Sequence, residues 1–178
     1  YVMILAVDVG NSNTTVGLFN GTGELLFRAL LETSRSKTRD QCAIELLGVF
    51  QLYGADACTV DGAILSSVVP PLTTIFIDAI ARLTGIPPMV VGPGIRTGLN
   101  IKAEIHNQLG SDIVASSVAA IAKYPSPIVM VDMGTATSLS LIVGSVYEGC
   151  IIMPGLALAL LMGVLTVRGG RVPLHDYL

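Results

Sequence analysis

Two stretches far apart in the chain follow one plan. Asp8-Val9-Gly10-Asn11-Ser12-Asn13-Thr14-Thr15 closes the apolar run that opens at Val2, and Asp132-Met133-Gly134-Thr135-Ala136-Thr137 closes Ile128-Val129-Met130-Val131, a run of buried-type residues. In each, the apolar run ends in an acid, a glycine stands two residues on, and hydroxyl side chains follow. A carboxylate at a strand end beside a tight glycine turn can hold a hydrated divalent ion, while nearby backbone amides and hydroxyls bond phosphate oxygens. One such loop is equally well explained as an ordinary hairpin, because Asp and Gly are turn formers. Two of them on repeated strand patterns are not, and the repeat predicts two equivalent sheets, each carrying a phosphate-facing loop.

The stretches around the loops alternate between strand and helix periods. Residues 2–8 read as a strand, 10–13 as a turn and 15–19 as the antiparallel partner, with Asn20-Gly21 turning the chain into a third strand over 24–31. Residues 38–53 have helical spacing, which puts Cys42, Leu46, Val49 and Phe50 on one side and Asp40 near the start. Residues 62–69 form a short apolar strand closed by Pro70-Pro71, ahead of a second helix over 72–84. Another strand at 89–91 precedes Gly92-Pro93-Gly94. A helix rich in small residues then covers 107–123, and the pattern begins again with strands at 128–132, 138–143, 146–148 and 150–153 and a tight hairpin at Gly144-Ser145. The reading is an α/β fold in two halves, 1–105 and 106–178, with no low-complexity linker between them.

Charge and hydropathy narrow what such a chain binds. A net charge of -3, a pI near 5.2 and the lack of any Lys or Arg run argue against nucleic acid as a partner. With 52% hydrophobic and 13% charged residues, the chain is apolar enough to predict that part of its surface is covered by a second subunit or by further chain. The longest apolar stretch, 151–165, is broken by Pro154, Gly155 and Gly163 and is shorter than the roughly 20 residues a membrane helix needs, so no membrane association is expected. Its leucine and alanine run from 156 reads as a helix buried in the core or in a dimer contact. Cys42, Cys58 and Cys150 are scattered without metal-ligand spacing, as reduced thiols in a cytoplasm would be. Tyr1-Val2-Met3 shows no basic leader, and Met3 is the expected native start.

Phosphate transfer at such loops would need a proton acceptor. Asp112 suits that role: Gly110-Ser111 precede it at the start of a helical stretch, where the helix dipole favours negative charge. The alternative is an acid that decorates a first helical turn, where Asp is common. His106 lies nearest to Asp112 in sequence, but a lone loop histidine is more often a solvated turn residue. His175 has less support, and Arg168 and Arg171 around Gly169-Gly170 read as a solvated helix end.

With these motifs in order, the chain resembles the type III pantothenate kinases of the acetate and sugar kinase, heat-shock protein and actin superfamily. Asp8 to Thr15 is similar to the ATP-binding loop, Gly92 to Leu99 to the stretch before the substrate site, Gly110-Ser111-Asp112-Ile113 to a Gly-Ala-Asp-Arg tetrapeptide, Asp132 to Thr137 to the second loop and Met153-Pro154-Gly155-Leu156 to a turn and helix entry. The resemblance implies two similar ribonuclease H-like, actin-like domains around a nucleotide cleft, the second incomplete here. It also implies transfer of the ATP γ-phosphate to the 4′-hydroxyl of pantothenate in coenzyme A synthesis. Asp8, Val9, Gly10, Asn11, Ser12, Asn13, Thr14, Thr15 and Thr135 would bind ATP, with Mg2+ held at Asp8 through the nucleotide. Asp132 would hold a monovalent cation, K+ or NH4+. Gly110, Ser111, Asp112 and Ile113 would form the substrate-binding tetrapeptide, with Asp112 as general base, in a cytoplasmic homodimer. Two departures stand out: Ile113 replaces the arginine, and Ala103 or Glu104 stands where many relatives have an aromatic contact. Ile113 and the incomplete second domain motivate a second reading, a catalytically weak nucleotide-binding relative that acts through protein contacts.

Overall fold

The computed structural model describes residues 2–92, 95–101 and 109–167. Pro93, Gly94, Ala103, Glu104, His106, Arg168, Arg171 and His175, weighed above, lie outside the described residues. The fold is α/β, with two mixed sheets in two compact units. One unit contains the described residues up to Thr97 together with Leu109 to Val118; the other contains Gly98–Ile101 and the residues from Ala119 onward.

In the first unit, β1 (Met3–Val9), β2 (Asn13–Asn20) and β3 (Leu25–Glu32) form an antiparallel meander. Helix α1 (Arg39–Leu52) follows, then β4 (Gly62–Ser67), α2 (Pro70–Thr84) and β5 (Met89–Val90), giving the sheet order β3-β2-β1-β4-β5 with β4 and β5 parallel to β1. Alternation sorts the sheet into two faces. Leu5, Val7 and Val9 of β1 line up with Leu18 and Val16 of β2, Phe27 and Ala29 of β3, and Ala63 and Leu65 of β4. This face shares one buried core with Cys42, Leu46, Val49 and Phe50 of α1 and Leu72, Phe76, Ala79 and Ile80 of α2. Phe27 meets Phe50 edge-on at 5.5 Å and stacks on Tyr53 at 4.7 Å, both favourable ring geometries. Asp8 belongs to the opposite face, in a row with Thr15 of β2 and Ser66 of β4.

The helix ends follow local chemistry. Thr38 caps α1 through a reciprocal pair with Gln41: the Gln41 N–H donates to Thr38 Oγ1 at 3.3 Å and the Thr38 N–H to Gln41 Oε1 at 2.8 Å. The proline pair expected to precede α2 instead forms its first turn, where the missing N–H groups cost nothing. Gly85 ends α2 in the left-handed conformation, at φ 76°.

In the second unit, β6 (Asn100–Ile101) is followed by α3 (Ser111–Lys123), whose first turns through Val118 belong to the first unit. Then come β7 (Ile128–Met133), β8 (Ala136–Val143), β9 (Val146–Pro154) and α4 (Leu156–Val167), with sheet order β6-β9-β8-β7. β7, β8 and β9 repeat the meander of the first three strands. The two short strands expected at 146–148 and 150–153 are one strand: Tyr147 pairs with Ile142 and Gly149 with Leu141, so Glu148 is an extra residue accommodated as a bulge. The run Val129–Val131, read as buried-type, is a second correction. β7 is an edge strand of this sheet, and Val129 and Val131 are 66% and 54% exposed. Helix α4 forms, but Leu156, Leu158, Leu160 and Leu161 are exposed rather than buried in a core.

Candidate functional site

Asp8 sits one residue before the end of β1, exposed, opposite Thr15. The turn that follows is closed by the Gly10 N–H, which donates to the Asn13 carbonyl at 3.0 Å. A Cβ on Gly10 would stand 2.9 Å from that same oxygen, so the turn requires glycine. Asn11, Ser12 and Asn13 are exposed at the tip, whereas the Val9 side chain is in the core. Thr14 is 1% exposed, and its Oγ1 lies 2.8 Å from Thr33 Oγ1. The Thr33 N–H also donates to the Ser12 carbonyl at 3.0 Å. Thr14 and Thr33 thus brace the loop from its core side. Thr33, at the end of a polar-tipped strand, carried no motif that would have marked it.

The end of β4 lies beside the end of β1, with Ser66 paired to Asp8 and Ser67 to Val9. The first residue of α3 docks there. Ser111 Oγ accepts from the Ser67 N–H at 2.9 Å and from the Ser66 hydroxyl at 3.1 Å, and donates to the Ser67 carbonyl at 3.0 Å. Asp112 follows, half-buried, its Oδ1 accepting from the Ile113 N–H at 2.8 Å. A Cβ at Gly110 would collide with Asp112 Oδ1 and stand 3.3 Å from Val68 Cγ1, so the glycine leaves room for this carboxylate orientation. The first unit therefore brings Asp8, Thr15, Ser66, Ser111 and Asp112 to one end of its sheet. Ser66 and Ser67 went unmarked in the sequence, although two adjacent hydroxyls closing an apolar strand are a recognisable signal.

The second loop has a similar construction. Asp132 is one residue from the end of β7, exposed, opposite Ser138. The Gly134 N–H donates to the Ala136 carbonyl at 2.9 Å, closing a turn one residue shorter than the first. Thr135 is exposed at its tip. Gly155, just before α4, lies buried against this loop: its N–H donates to the Thr135 carbonyl at 3.2 Å, and a Cβ there would collide with the carbonyl oxygens of both Gly134 and Thr135. The start of α4 is thereby fixed beside the second acidic turn.

No three His, Cys, Asp or Glu side chains among the described residues cluster closely enough to cage a metal. Asp8 and Asp132 are each single carboxylates flanked by turn backbone. At Asp8 such a donor set suits a hard ion that takes its remaining oxygens from phosphate and water, as Mg2+ does. No helix among the described residues is long and apolar enough to cross a membrane.

The family model described as type III pantothenate kinase matches residues 4–173. A type III pantothenate kinase of Listeria monocytogenes is 39% identical over 98% of this chain, and one of a Geobacillus species is 38% identical over 96%. In both cases the match covers 66% of the relative, so the chain spans just under two thirds of the length of these curated relatives. Among solved structures, a putative 2-dehydro-3-deoxygalactonokinase of Sinorhizobium meliloti superposes with a TM-score of 0.52 at 13% identity, over 96% of this chain and 58% of that one, a likeness of fold alone. By sequence, the chain belongs to the type III pantothenate kinase family.

Proposed function

We propose that the protein phosphorylates pantothenate at its 4′-hydroxyl with ATP, the first step of coenzyme A biosynthesis. The observation that carries this reading is the fixed position of Asp112, on a helix start pinned to the strand that neighbours Asp8. Asp112 accepts the hydroxyl proton as the substrate oxygen attacks the γ-phosphorus, and ADP leaves. The turn at 10–13 and Thr15 bind the nucleotide phosphates, with Thr14 supporting the turn from behind. Asp8 would hold the Mg2+ that the nucleotide brings, which would neutralise charge on the phosphates. Asp132 offers a carboxylate to a monovalent cation, K+ or NH4+, and Thr135 contacts ATP.

In this reading each of the two units is a ribonuclease H-like, actin-like domain. The order β3-β2-β1-β4-β5 and the repeated meander support it. The protein acts in the cytoplasm as a homodimer. Support for the dimer comes from α3, where Ala115, Ser116, Ala119 and Ala122 are exposed on one side with small side chains that permit close helix approach. The test is ATP turnover by the full-length protein with and without pantothenate. Pantothenate-dependent ADP release, with 4′-phosphopantothenate detected by mass spectrometry, is expected. Nucleotide binding without that product would favour the reading of a relative that acts through protein contacts.

A further inference from the structure

We infer that α1 carries a contact surface for a second copy of this chain, centred on Gly48. The surface is the outer side of the first unit's helices, so the inference does not rest on the roles proposed for Asp112 or for the acidic turns. Gly48 lies inside α1, where glycine is unfavourable because it has the most backbone freedom to lose. Among the described residues nothing explains it: Gly48 is exposed, and a Cβ there would meet no atom within 4 Å. A glycine with open space around it in mid-helix suits the close approach of another backbone.

The side chains around it have the matching pattern. Ile44, Gly48 and Leu52 are spaced i, i+4, i+8 and form one ridge along α1. Its two apolar ends, Ile44 and Leu52, are 68% and 79% exposed, and Leu47 beside the ridge is 42% exposed. The ridge is symmetric about the glycine. A two-fold axis at Gly48 therefore sets Ile44 of one copy against the partner's Leu52, and Leu52 against the partner's Ile44, with the two glycines at the crossing where the backbones come closest. The receiving half of this fit is also present. An open groove of about 310 Å³ between α1 and α2 is lined by Ala43, Ile44, Leu47 and Leu83, and the same axis directs the partner's Leu52 toward it. The charges at the rim point to the same occupant. Arg82 Nη1 is 3.1 Å from Asp40 Oδ1 and Arg39 Nη1 is 3.9 Å from Asp78 Oδ2, so two cations and two carboxylates balance within the chain. No surplus of either sign is left for an acidic or basic partner to read, and an apolar side chain from a like surface is the better match. This contact is separate from the one proposed on α3, and a protein that makes both assembles beyond a dimer.

The experiment uses the full-length protein carrying Cys58→Ser and Cys150→Ser, which remove the exposed thiols of the described residues. Ile44→Cys and Leu52→Cys are made as separate chains with different tags. Mixed and oxidised, they should form a disulfide between the two tags, with neither variant cross-linking to itself above background, because only the mixture brings two thiols to opposite positions. Gly48→Gln puts a better helix former into open space, so the melting temperature should not fall. Its bulk at the crossing should nonetheless raise the Kd for self-association, measured by sedimentation, at least about tenfold. The proposal is overturned if Gly48→Gln keeps the assembled mass and Kd of the parent protein, or if the mixture yields no more cross-link than either cysteine variant alone. It is equally overturned if a maleimide fails to label Ile44→Cys and Leu52→Cys at a dilution where the assembly has dissociated, because further chain of the same protein would then cover the ridge.

Discussion

Asp112 receives its orientation from its immediate neighbours, so substitutions there test geometry as well as chemistry. Asp112→Asn keeps the shape and removes the proton acceptor; turnover should fall on the order of a hundredfold to ten-thousandfold, with nucleotide affinity by calorimetry little changed. Gly110→Ala places a methyl where Asp112 Oδ1 now lies. The side chain can rotate away, so the expected outcome is a folded protein with near-normal thermal stability and reduced kcat. Ile113 stands where the resembled tetrapeptide has arginine. Restoring a cation beside an anionic substrate adds a charge-assisted hydrogen bond of about 1.5–3 kcal/mol, and Ile113→Arg should lower the KM for pantothenate about tenfold while leaving that for ATP unchanged. Cys42 offers a control remote from these residues. Burial, reinforced by the nearby Glu45 carboxylate and opposed by Lys37, pushes its thiol pKa up. The stability gained by burying the neutral thiol is complete below the unfolded thiol pKa of about 8.5 and is lost as pH rises through the higher folded value. An alkylating reagent at neutral pH should modify exposed Cys58 and spare Cys42 until the protein unfolds.

At the scale of elements, both acidic turns depend on glycines that face backbone oxygens. Gly155→Ala sets a methyl against the Gly134 and Thr135 carbonyls, neither of which can swing aside as a side chain would. Either the second turn or the start of α4 must move, and the variant should lose nucleotide affinity in calorimetry and show faster amide exchange at Gly134 and Gly155. The cap of α1 makes a contrasting case: Thr38→Ala should cost about 0.5–2 kcal/mol in urea unfolding with kcat unaffected. Much of this level was legible in the sequence, because Cys42, Leu46, Val49 and Phe50 mark the buried side of α1, Asn20-Gly21 ends β2, and Pro70-Pro71 separates the β4 run from the α2 run. What was not legible depends on neighbours. Gly149 looks like a break and is instead absorbed next to a bulge, since β8 runs alongside it and restores pairing on both sides of Glu148. Ile128 to Val131 looks buried on composition, yet β7 is an edge strand, and an edge position cannot be read from the strand itself. The Ser66, Ser67 and Ser111 lock joins residues more than forty positions apart, which no local pattern can announce.

The two meanders differ in what covers them, and this difference bears on the whole molecule. Aligned on their acids, Leu5, Val7 and Val9 of β1 correspond to Val129, Val131 and Met133 of β7. The first set is at most 2% exposed beneath α1 and α2, while the second is 66%, 54% and 79% exposed. Register extends the second set into one continuous face: Val129 stands beside Leu141, Val131 beside Leu139, which in turn pairs with Ile151, and Met133 beside Thr137, which in turn pairs with Met153. Burying a side chain of this kind is worth about 1.5–3 kcal/mol, so a face of this size left in water is a large unfavourable term that a helical layer or a second subunit would remove. The 178-residue span alone should therefore bind an apolar dye such as anilinonaphthalene sulfonate strongly and self-associate in light scattering. Val131→Lys with Met133→Lys should reduce both effects without altering the far-ultraviolet circular dichroism, because both positions face outward. Weak dye binding and a monomeric mass for the 178-residue span at micromolar concentration would mean that the face is covered from within the chain, and the argument for a covering layer would be wrong.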